Sequence, residues 1–190
     1  MSQIEYEVRV LEIDVDNTIN RLKELGATLI DDSLQRRYVY DFNPVDPNKW
    51  VRLRTNGKKT TITIKEIESN KIDGTKEIEI EVDDFDKANE LLNELGYKPK
   101  GLQENYRIKY DLDGVEVDID RWPRIPAYLE IEGKNEEEVL KVLDVLDIDK
   151  SYATTLDVMG IYREVYNIDL TQEPNLSFED EYLVDNKRRI

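Results

Sequence analysis

Glu5, Glu7 and Arg9 alternate with Ile4, Tyr6, Val8 and Val10 in the stretch IEYEVRV, so a strand here has one apolar face and one fully charged face. Carboxylates two residues apart on such a face sit roughly 6–7 Å from each other, and at an effective dielectric of ~20 two ionised ones repel by about 2–2.5 kcal/mol. In open water the cost is about a quarter of that, so the pair is cheap on a wet face and expensive on an enclosed one unless a cation lies beside it. The same alternation recurs in Arg52 and Arg54; Thr61, Thr63 and Lys65; Glu77, Glu79 and Glu81; Arg107 and Lys109; Glu116, Asp118 and Asp120; Glu130 and Glu132; and QRRYVYD around Arg37. Signs are segregated, with whole strands acidic and others basic. An antiparallel sheet with one solvated face explains any single strand of this kind. A closed barrel of about eight strands, with the charged face lining a lumen, explains the segregation. In that lumen acidic strands would hold divalent cations and basic strands a polyanion, each compensating the other.

Residue types narrow the chemistry further. The 190 residues include no His and no Cys, which excludes Ser-His and Cys-His dyads, imidazole or thiolate metal sites and disulfides. Catalysis is left to Asp, Glu, Lys, Arg, Tyr, Ser and Thr, and a bound metal must accept oxygen ligands, which selects hard ions such as Mg²⁺, Mn²⁺ or Ca²⁺. Asp and Glu number 43 against 27 Lys and Arg, a net charge of -16, which opposes binding to nucleic-acid polymers and anionic membranes. No apolar run is long enough to span a bilayer and the first residues hold no apolar signal core, so a cytoplasmic protein is expected. TNGKKTT lacks phosphate-loop spacing and reads as a hairpin turn.

Helices must cover the apolar faces of these strands. DVDNTINRLKELGA places Val15, Ile19, Leu22 and Leu25 at helical spacing and stops at Gly26. DDFDKANELLNELG does the same with Phe85, Ala88, Leu91, Leu92 and Leu95, and NEEEVLKVLDVL with Val139, Leu140, Leu143 and Leu146. Between the first two lie four strand-like segments separated by NPVDPN, NGK and SNKIDG, an antiparallel meander. Asp113-Gly114 marks a later hairpin. A further helix is expected over 151–168. One domain is expected over 1–170, followed by an acidic, polar tail over 171–190.

Glu5-x-Glu7-x-Arg9, the basic strands of Arg52, Arg54 and Lys65, the KEIEIE strand, Arg107 and the late VDID and YLEIEG stretches together resemble the CYTH superfamily, the triphosphate tunnel metalloenzymes. The resemblance covers about residues 3–165, and WPRIPAYLEIEG is similar to bacterial members labelled class IV adenylate cyclase. It implies an α+β fold, a closed antiparallel eight-stranded β-barrel with helices packed outside, enclosing a triphosphate and Mg²⁺ or Mn²⁺. By the same resemblance Glu5, Glu7, Asp118, Asp120, Glu130 and Glu132 match the metal-binding carboxylates. Arg37, Arg52, Arg54, Lys65, Arg107 and Lys109 match or extend the phosphate-binding cations, and Glu77, Glu79 and Glu81 supply additional tunnel carboxylates. Glu7, Arg9 and Lys65 are the candidate catalytic groups. Arg9 departs from the usual Glu-x-Glu-x-Lys, and a guanidinium binds phosphate but does not act as a base. Arg37 stands where many members have an acidic residue.

The expected function is therefore metal-dependent phosphoanhydride hydrolysis of a nucleoside, thiamine or inorganic triphosphate. Class IV adenylate cyclisation, which makes cyclic AMP and pyrophosphate from ATP, is the alternative reaction. A non-catalytic polyphosphate- or nucleotide-binding module is the alternative class, and a solvated structural sheet predicts no ligand. The expected partner is a small triphosphate, with homodimerisation left open.

Overall fold

The computed structural model describes residues 3–170 and 175–178. Its strands are β1 (Gln3–Val10), β2 (Thr28–Asp46), β3 (Lys49–Thr55), β4 (Thr60–Ile67), β5 (Thr75–Val82), β6 (Pro99–Leu112), β7 (Val115–Arg121), β8 (Tyr128–Gly133) and the short β9 (Ala153–Thr154). Helix α1 (Val15–Glu24) follows β1, α2 (Phe85–Glu94) follows β5, α3 (Glu136–Val145) follows β8, and α4 (Val158–Gly160) runs into a wide helical turn at Ile161–Val165.

Eight strands pair in the order β5-β4-β3-β2-β6-β7-β8-β1, every neighbour antiparallel, and β1 pairs back onto β5 to close an antiparallel β-barrel. The closing seam is short, with Gln3, Ile4 and Glu5 facing Glu77, Lys76 and Thr75. Beyond it the β4–β5 loop continues the contact, because the Glu7 amide donates to the Ile72 carbonyl at 3.0 Å. Closure removes the free edges that an open sheet would expose. The Asp113-Gly114 hairpin holds both residues at positive φ (55° and 85°), the conformation this dipeptide tolerates best.

The apolar parity of the strands faces outward, and helices roof much of it, while Ile78 and Ile80 of β5 stay exposed. Val8, Val10, Tyr110, Leu112, Val117, Ile119, Leu129 and Ile131 pack with Leu22 of α1 and Val139, Val142 and Leu143 of α3. On the opposite side Tyr40, Val51 and Leu53 pack under Ala88 and Leu92 of α2. Each long helix begins at a carboxylate or amide that accepts from an amide three residues on: Asp14 from Asn17, Asp84 from Lys87, Asn135 from Glu138. Such caps are worth about 1 kcal/mol each. Fully burying a leucine such as Leu22 or Leu143 contributes about 1.5–3 kcal/mol. Leu91 and Leu95, expected on the packed face of α2, are instead exposed, because a ten-residue helix on a curved barrel touches it through one narrow stripe.

The helix expected over 151–168 is broken. Lys150–Tyr152 is a single 3-10 turn, Ala153 and Thr154 pair with Val10 and Arg9 as β9, and helical backbone resumes only at Val158. Thr154 Oγ1 accepts from the Leu156 amide and Asp157 Oδ1 from the Gly160 amide, so local side chains satisfy the backbone that a continuous helix would have used. This segment lies across one end of the barrel, where Trp122, Ile125, Tyr128, Ile161, Tyr162, Leu170 and Leu176 form a separate apolar cluster. The tail expected over 171–190 lies outside the described residues except for 175–178. There Leu176 bridges in parallel to Gln103, with its amide 2.9 Å from the Leu102 carbonyl and its carbonyl 2.8 Å from the Glu104 amide. Among the described residues no helix is long and apolar enough to cross a membrane.

Candidate functional site

With the apolar parity committed to the helices, the charged parity of all eight strands points into the barrel. Ion pairs that skip a strand demonstrate it: Lys65 of β4 reaches Glu5 of β1 at 2.8 Å, Arg52 of β3 lies 3.9 Å from Glu77 of β5, and Arg107 of β6 reaches Glu130 of β8 at 2.9 Å. Glu5, Glu7, Arg9, Arg37, Arg107, Asp118, Asp120 and Glu130 are each buried to more than nine-tenths. A wet outer sheet would leave them exposed.

Strands β1, β8 and β7 form an acidic wall. Register sets Glu7 opposite Glu132 and Glu132 opposite Glu116, while the next row sets Arg9 opposite Glu130 and Glu130 opposite Asp118. In the second row the charges are compensated. Arg9 donates from Nε to Glu130 at 2.7 Å, from Nη2 to Glu7 at 3.1 Å and from Nη1 to the Leu156 carbonyl at 2.9 Å. Arg107 grips both oxygens of Asp120, at 2.8 and 2.5 Å, and also Glu130 at 2.9 Å. Burial alone would raise the Glu130 pKa, but Arg9 and Arg107 outweigh it and hold the carboxyl well below the usual range. In the first row Glu7 is paired with Arg9 and Glu116 with Lys109, but compensation fails at Glu132: burial, with Glu5, Glu116 and Glu130 nearby, pushes it up to about 8. Burial likewise raises Glu5 in spite of Lys65. Arg107 Nη1 lies 2.5 Å from Asp118 Oδ2 but out of hydrogen-bonding line, so neither Asp118 oxygen has a hydrogen-bond partner and burial raises its pKa.

Strands β2, β3 and β4 form a basic wall whose partners are fewer and farther. Lys65 pairs with Glu5 and stands 3.6 Å from Glu77. Arg52 and Arg54 reach Glu79 only at 3.7 Å each, and Glu79 is already accepting from Thr63 Oγ1 at 2.8 Å. Arg54 is lowered to about 10 by Arg52 first, then by burial and Arg107. Burial, followed by Arg52, Arg54 and Arg107, drives Arg37 well below the ordinary guanidinium value. Arg37 hydrogen-bonds Asn105 Oδ1 and lies over the Trp122 ring, 4.5 Å from its centroid. Two residues expected in the site sit toward its margins: half-buried Lys109 is paired with Glu116 at 2.5 Å, and exposed Glu81 with Lys59 at 3.4 Å.

Among the described residues no three carboxylates are gathered as a ready-made metal cage. The reason is electrostatic, since Glu130, Asp118 and Asp120 turn to Arg107, Glu130 and Glu7 to Arg9, and Glu5 to Lys65. The donor set nonetheless fits a hard cation. It consists entirely of oxygen, Glu132 is short of positive charge, and Asp118 Oδ1, Oδ2 and Glu77 Oε2 are buried without a hydrogen-bond partner.

Glu116 and Thr61, which alternation places on the charged face without a role, join the site, and Asn105 and Trp122 are contributors outside the expected one. Alternation could have found Asn105, which shares the inward parity of Arg107. Trp122 lies just past the end of β7, where alternation carries no information, and its place beneath Arg37 depends on strands distant in the chain.

A CYTH domain model matches residues 3–156. A Methanocaldococcus jannaschii protein named as a putative adenylate cyclase is 28% identical over 162 residues, covering 77% of this chain and 91% of that protein. The PH1012 protein of Pyrococcus horikoshii superposes with a TM-score of 0.69 at 26% identity, covering 81% of this chain and 96% of that one. A putative adenylate cyclase of Vibrio parahaemolyticus superposes with a TM-score of 0.71 at 13% identity over 88% of this chain and 99% of that one, a likeness of fold. A closed barrel with opposed acidic and basic walls and a domain match over most of the chain lead to one conclusion: this protein belongs to the CYTH domain family.

Proposed function

We propose that the protein is a divalent-metal-dependent enzyme that hydrolyses a phosphoanhydride bond of a triphosphate held inside the barrel. The observation that carries this reading is the enclosure of Arg37, held by an amide and an indole, and of the loosely paired Arg52 and Arg54 in one lumen with the row of carboxylates around Glu132. A linear phosphate chain with a divalent cation supplies both deficits at once, whereas either charge alone would worsen one of them. Family membership supports the same substrate class, because CYTH proteins generally depend on metal and bind triphosphates.

Arg52, Arg54, Lys65 and Arg107 bind and orient the phosphate oxygens, the arginines through forked contacts and Lys65 as a point charge. Glu132 is the carboxylate with least compensation, and with Glu5, Glu7 and Glu116 around it would hold Mg²⁺ or Mn²⁺; Asp118, ion-paired to Arg107, adds two oxygens that accept no hydrogen bond. The ion, when bound, neutralises charge on the phosphoryl oxygens. Asp120 and Glu130 fix the guanidinium of Arg107, and Glu130 that of Arg9. Arg9 remains charged and fully engaged, so Glu7 is the group placed to accept a proton from an attacking water. A second reading, cyclisation of ATP, is favoured by the name of the M. jannaschii relative. It requires a ribose hydroxyl in line with the α-phosphate.

Product analysis separates these readings. ATP, thiamine triphosphate and tripolyphosphate are incubated with Mg²⁺ or Mn²⁺, and release of orthophosphate from at least one supports hydrolysis. Cyclic AMP with pyrophosphate identifies the cyclase. Binding of all three without any product would establish a polyphosphate-binding module and overturn both enzymatic readings.

A further inference from the structure

We propose that the free edge of β5 over Ile78–Val82 takes an extended segment of a partner protein, one in which apolar residues alternate with Lys or Arg, added as a further antiparallel strand. Barrel closure is incomplete along this strand. It pairs with β1 only over Thr75–Glu77, whereas its pairing with β4 runs on to Val82. Among the described residues Ile78–Val82 therefore have a strand on one side only, and no turn or loop hydrogen bond reaches their backbone. Unpaired amides and carbonyls in a row are a template for another chain. Two other stretches that outrun a neighbouring strand are already occupied. Leu176 bridges to Gln103 of β6, and Asn56 and Lys58 of the β3–β4 hairpin hold Asp31 of β2.

Side chains along the edge specify what it takes. Ile78, Glu79, Ile80 and Glu81 are four exposed residues in succession, and the two isoleucines are 49% and 57% exposed on the outer face. Ile4 of β1, directly opposite Lys76 and 45% exposed, stands diagonal to Ile78, so the apolar patch continues across the seam. An edge that only meets water is ordinarily blunted with Lys or Pro, not furnished with isoleucine. The other parity carries Glu79 and Glu81, and the exposed Glu81 has only Lys59, at 3.4 Å, as an ion-pair partner among the described residues. In an antiparallel ladder directly opposite residues share a face. An added strand would therefore set apolar side chains against Ile78, Ile80 and Val82, and cationic ones against Glu79 and Glu81. The net charge of -16 draws a basic segment in.

The same carboxylates disfavour a second copy of this chain. An antiparallel pair of β5 strands centred on Ile80 places Glu79 of one copy against Glu81 of the other, and like charges directly opposite destabilise a sheet. A basic alternating segment replaces both repulsions with attractions.

A fluorescein-labelled peptide of about seven residues alternating valine and arginine, titrated into the full chain and read by anisotropy, tests the edge without any turnover. Saturable binding with Kd of about 100 μM or tighter is expected, with hydrogen-exchange protection gained within Ile78–Val82. A valine–glutamate peptide, and the valine–arginine peptide with a central proline, should each bind at least about tenfold more weakly. Glu81→Lys should weaken the valine–arginine peptide about fivefold and strengthen the valine–glutamate one. Ile80→Lys should weaken valine–arginine binding, whereas Ile30→Lys, at an exposed position of β2, should leave it unchanged. Where Ile80→Lys does not fold, the reversed charge preference of Glu81→Lys decides alone. Absence of binding up to millimolar peptide, or an unchanged charge preference in Glu81→Lys, overturns the proposal. Peptide displaced by Mg²⁺ with tripolyphosphate lies in the lumen and overturns it too. A dimer in sedimentation equilibrium that Ile80→Lys dissociates gives the edge to a second copy and has the same consequence. Triphosphate hydrolysis is judged separately, by product analysis.

Discussion

The acidic wall of β1, β7 and β8 and the basic wall of β2, β3 and β4 line the same enclosed space, yet they handle buried charge differently. The acidic wall imports its own cations: Arg9 and Arg107 are threaded among Glu7, Glu130, Asp118 and Asp120 with contacts of 2.5–3.1 Å. Its deficit is confined to one row, around Glu132. The basic wall imports little, since Glu77 and Glu79 come from β5 next door and stay 3.7–3.9 Å from Arg52 and Arg54. Tight internal pairing makes a rigid frame, while loose pairing leaves donors available to a ligand. The acidic wall thus holds its geometry through its own ion pairs, whereas the basic wall keeps donors that the proposed anion would engage.

The comparison breaks most visibly at Glu132. Its proton is kept in the folded chain up to about pH 8 but leaves near 4.5 when the chain unfolds. The corresponding stability is full below the unfolded value, declines as pH rises and is gone above the folded one. Glu132→Gln should therefore flatten the fall in stability of the metal-free protein between these two values and make the variant the more stable form at the alkaline end. At ~1.4 kcal/mol per unit the ceiling is about 5 kcal/mol, read from denaturant unfolding across pH. A parent whose stability does not decline over that interval would show that Glu132 is already compensated.

Lys65 is the next largest expectation, because it is the basic wall's one close link to the acidic side. Lys65→Met should lower kcat/KM for the triphosphate substrate by about 100–1,000-fold, or about 3–4 kcal/mol, whereas Lys23→Met on α1 should leave it unchanged. Similar small losses at both positions would mean that the interior is not where the anion binds.

Ligand addition follows. Mg²⁺ with tripolyphosphate at about 100 times the dissociation constant should stabilise by roughly 2.7 kcal/mol and raise Tm by about 5–11 °C. Metal alone or metal with monophosphate should give less, since a single phosphate does not span the strands of the basic wall. Equal shifts from monophosphate and triphosphate would remove the distinction between the walls.

The smallest effect sharpens the picture of the rigid side. Arg9→Lys keeps a positive charge between Glu7 and Glu130 but gives up the fork that also holds the Leu156 carbonyl. A loss of about 1–2 kcal/mol in stability with triphosphate turnover retained is expected. Loss of turnover without loss of stability would assign Arg9 to substrate rather than to the frame.

Alternation of charged and apolar residues is a local property, and it determined the strands, their inward faces and the parity of every ion that meets inside, because successive side chains of a strand cannot share a face. The three long helices and the Asp113-Gly114 turn were equally local, written in 3.6-residue spacing and in the left-handed tolerance of two residues. Closure was legible only as an inference from sign segregation; its physical basis, three residue pairs between β1 and β5, is a contact of chain segments some seventy residues apart. Which carboxylates are compensated and which are not was likewise decided in three dimensions. Glu130 and Glu132 are equivalent in sequence, yet one meets two guanidinium groups and the other meets carboxylates across both neighbouring strands. The broken segment after α3 followed the same rule, since Ala153 and Thr154 found a strand partner in β1 that no propensity within 151–168 encodes. Trp122 took its place under Arg37 because barrel register, rather than neighbourhood in the chain, brings β7 and β2 to the same end of the lumen.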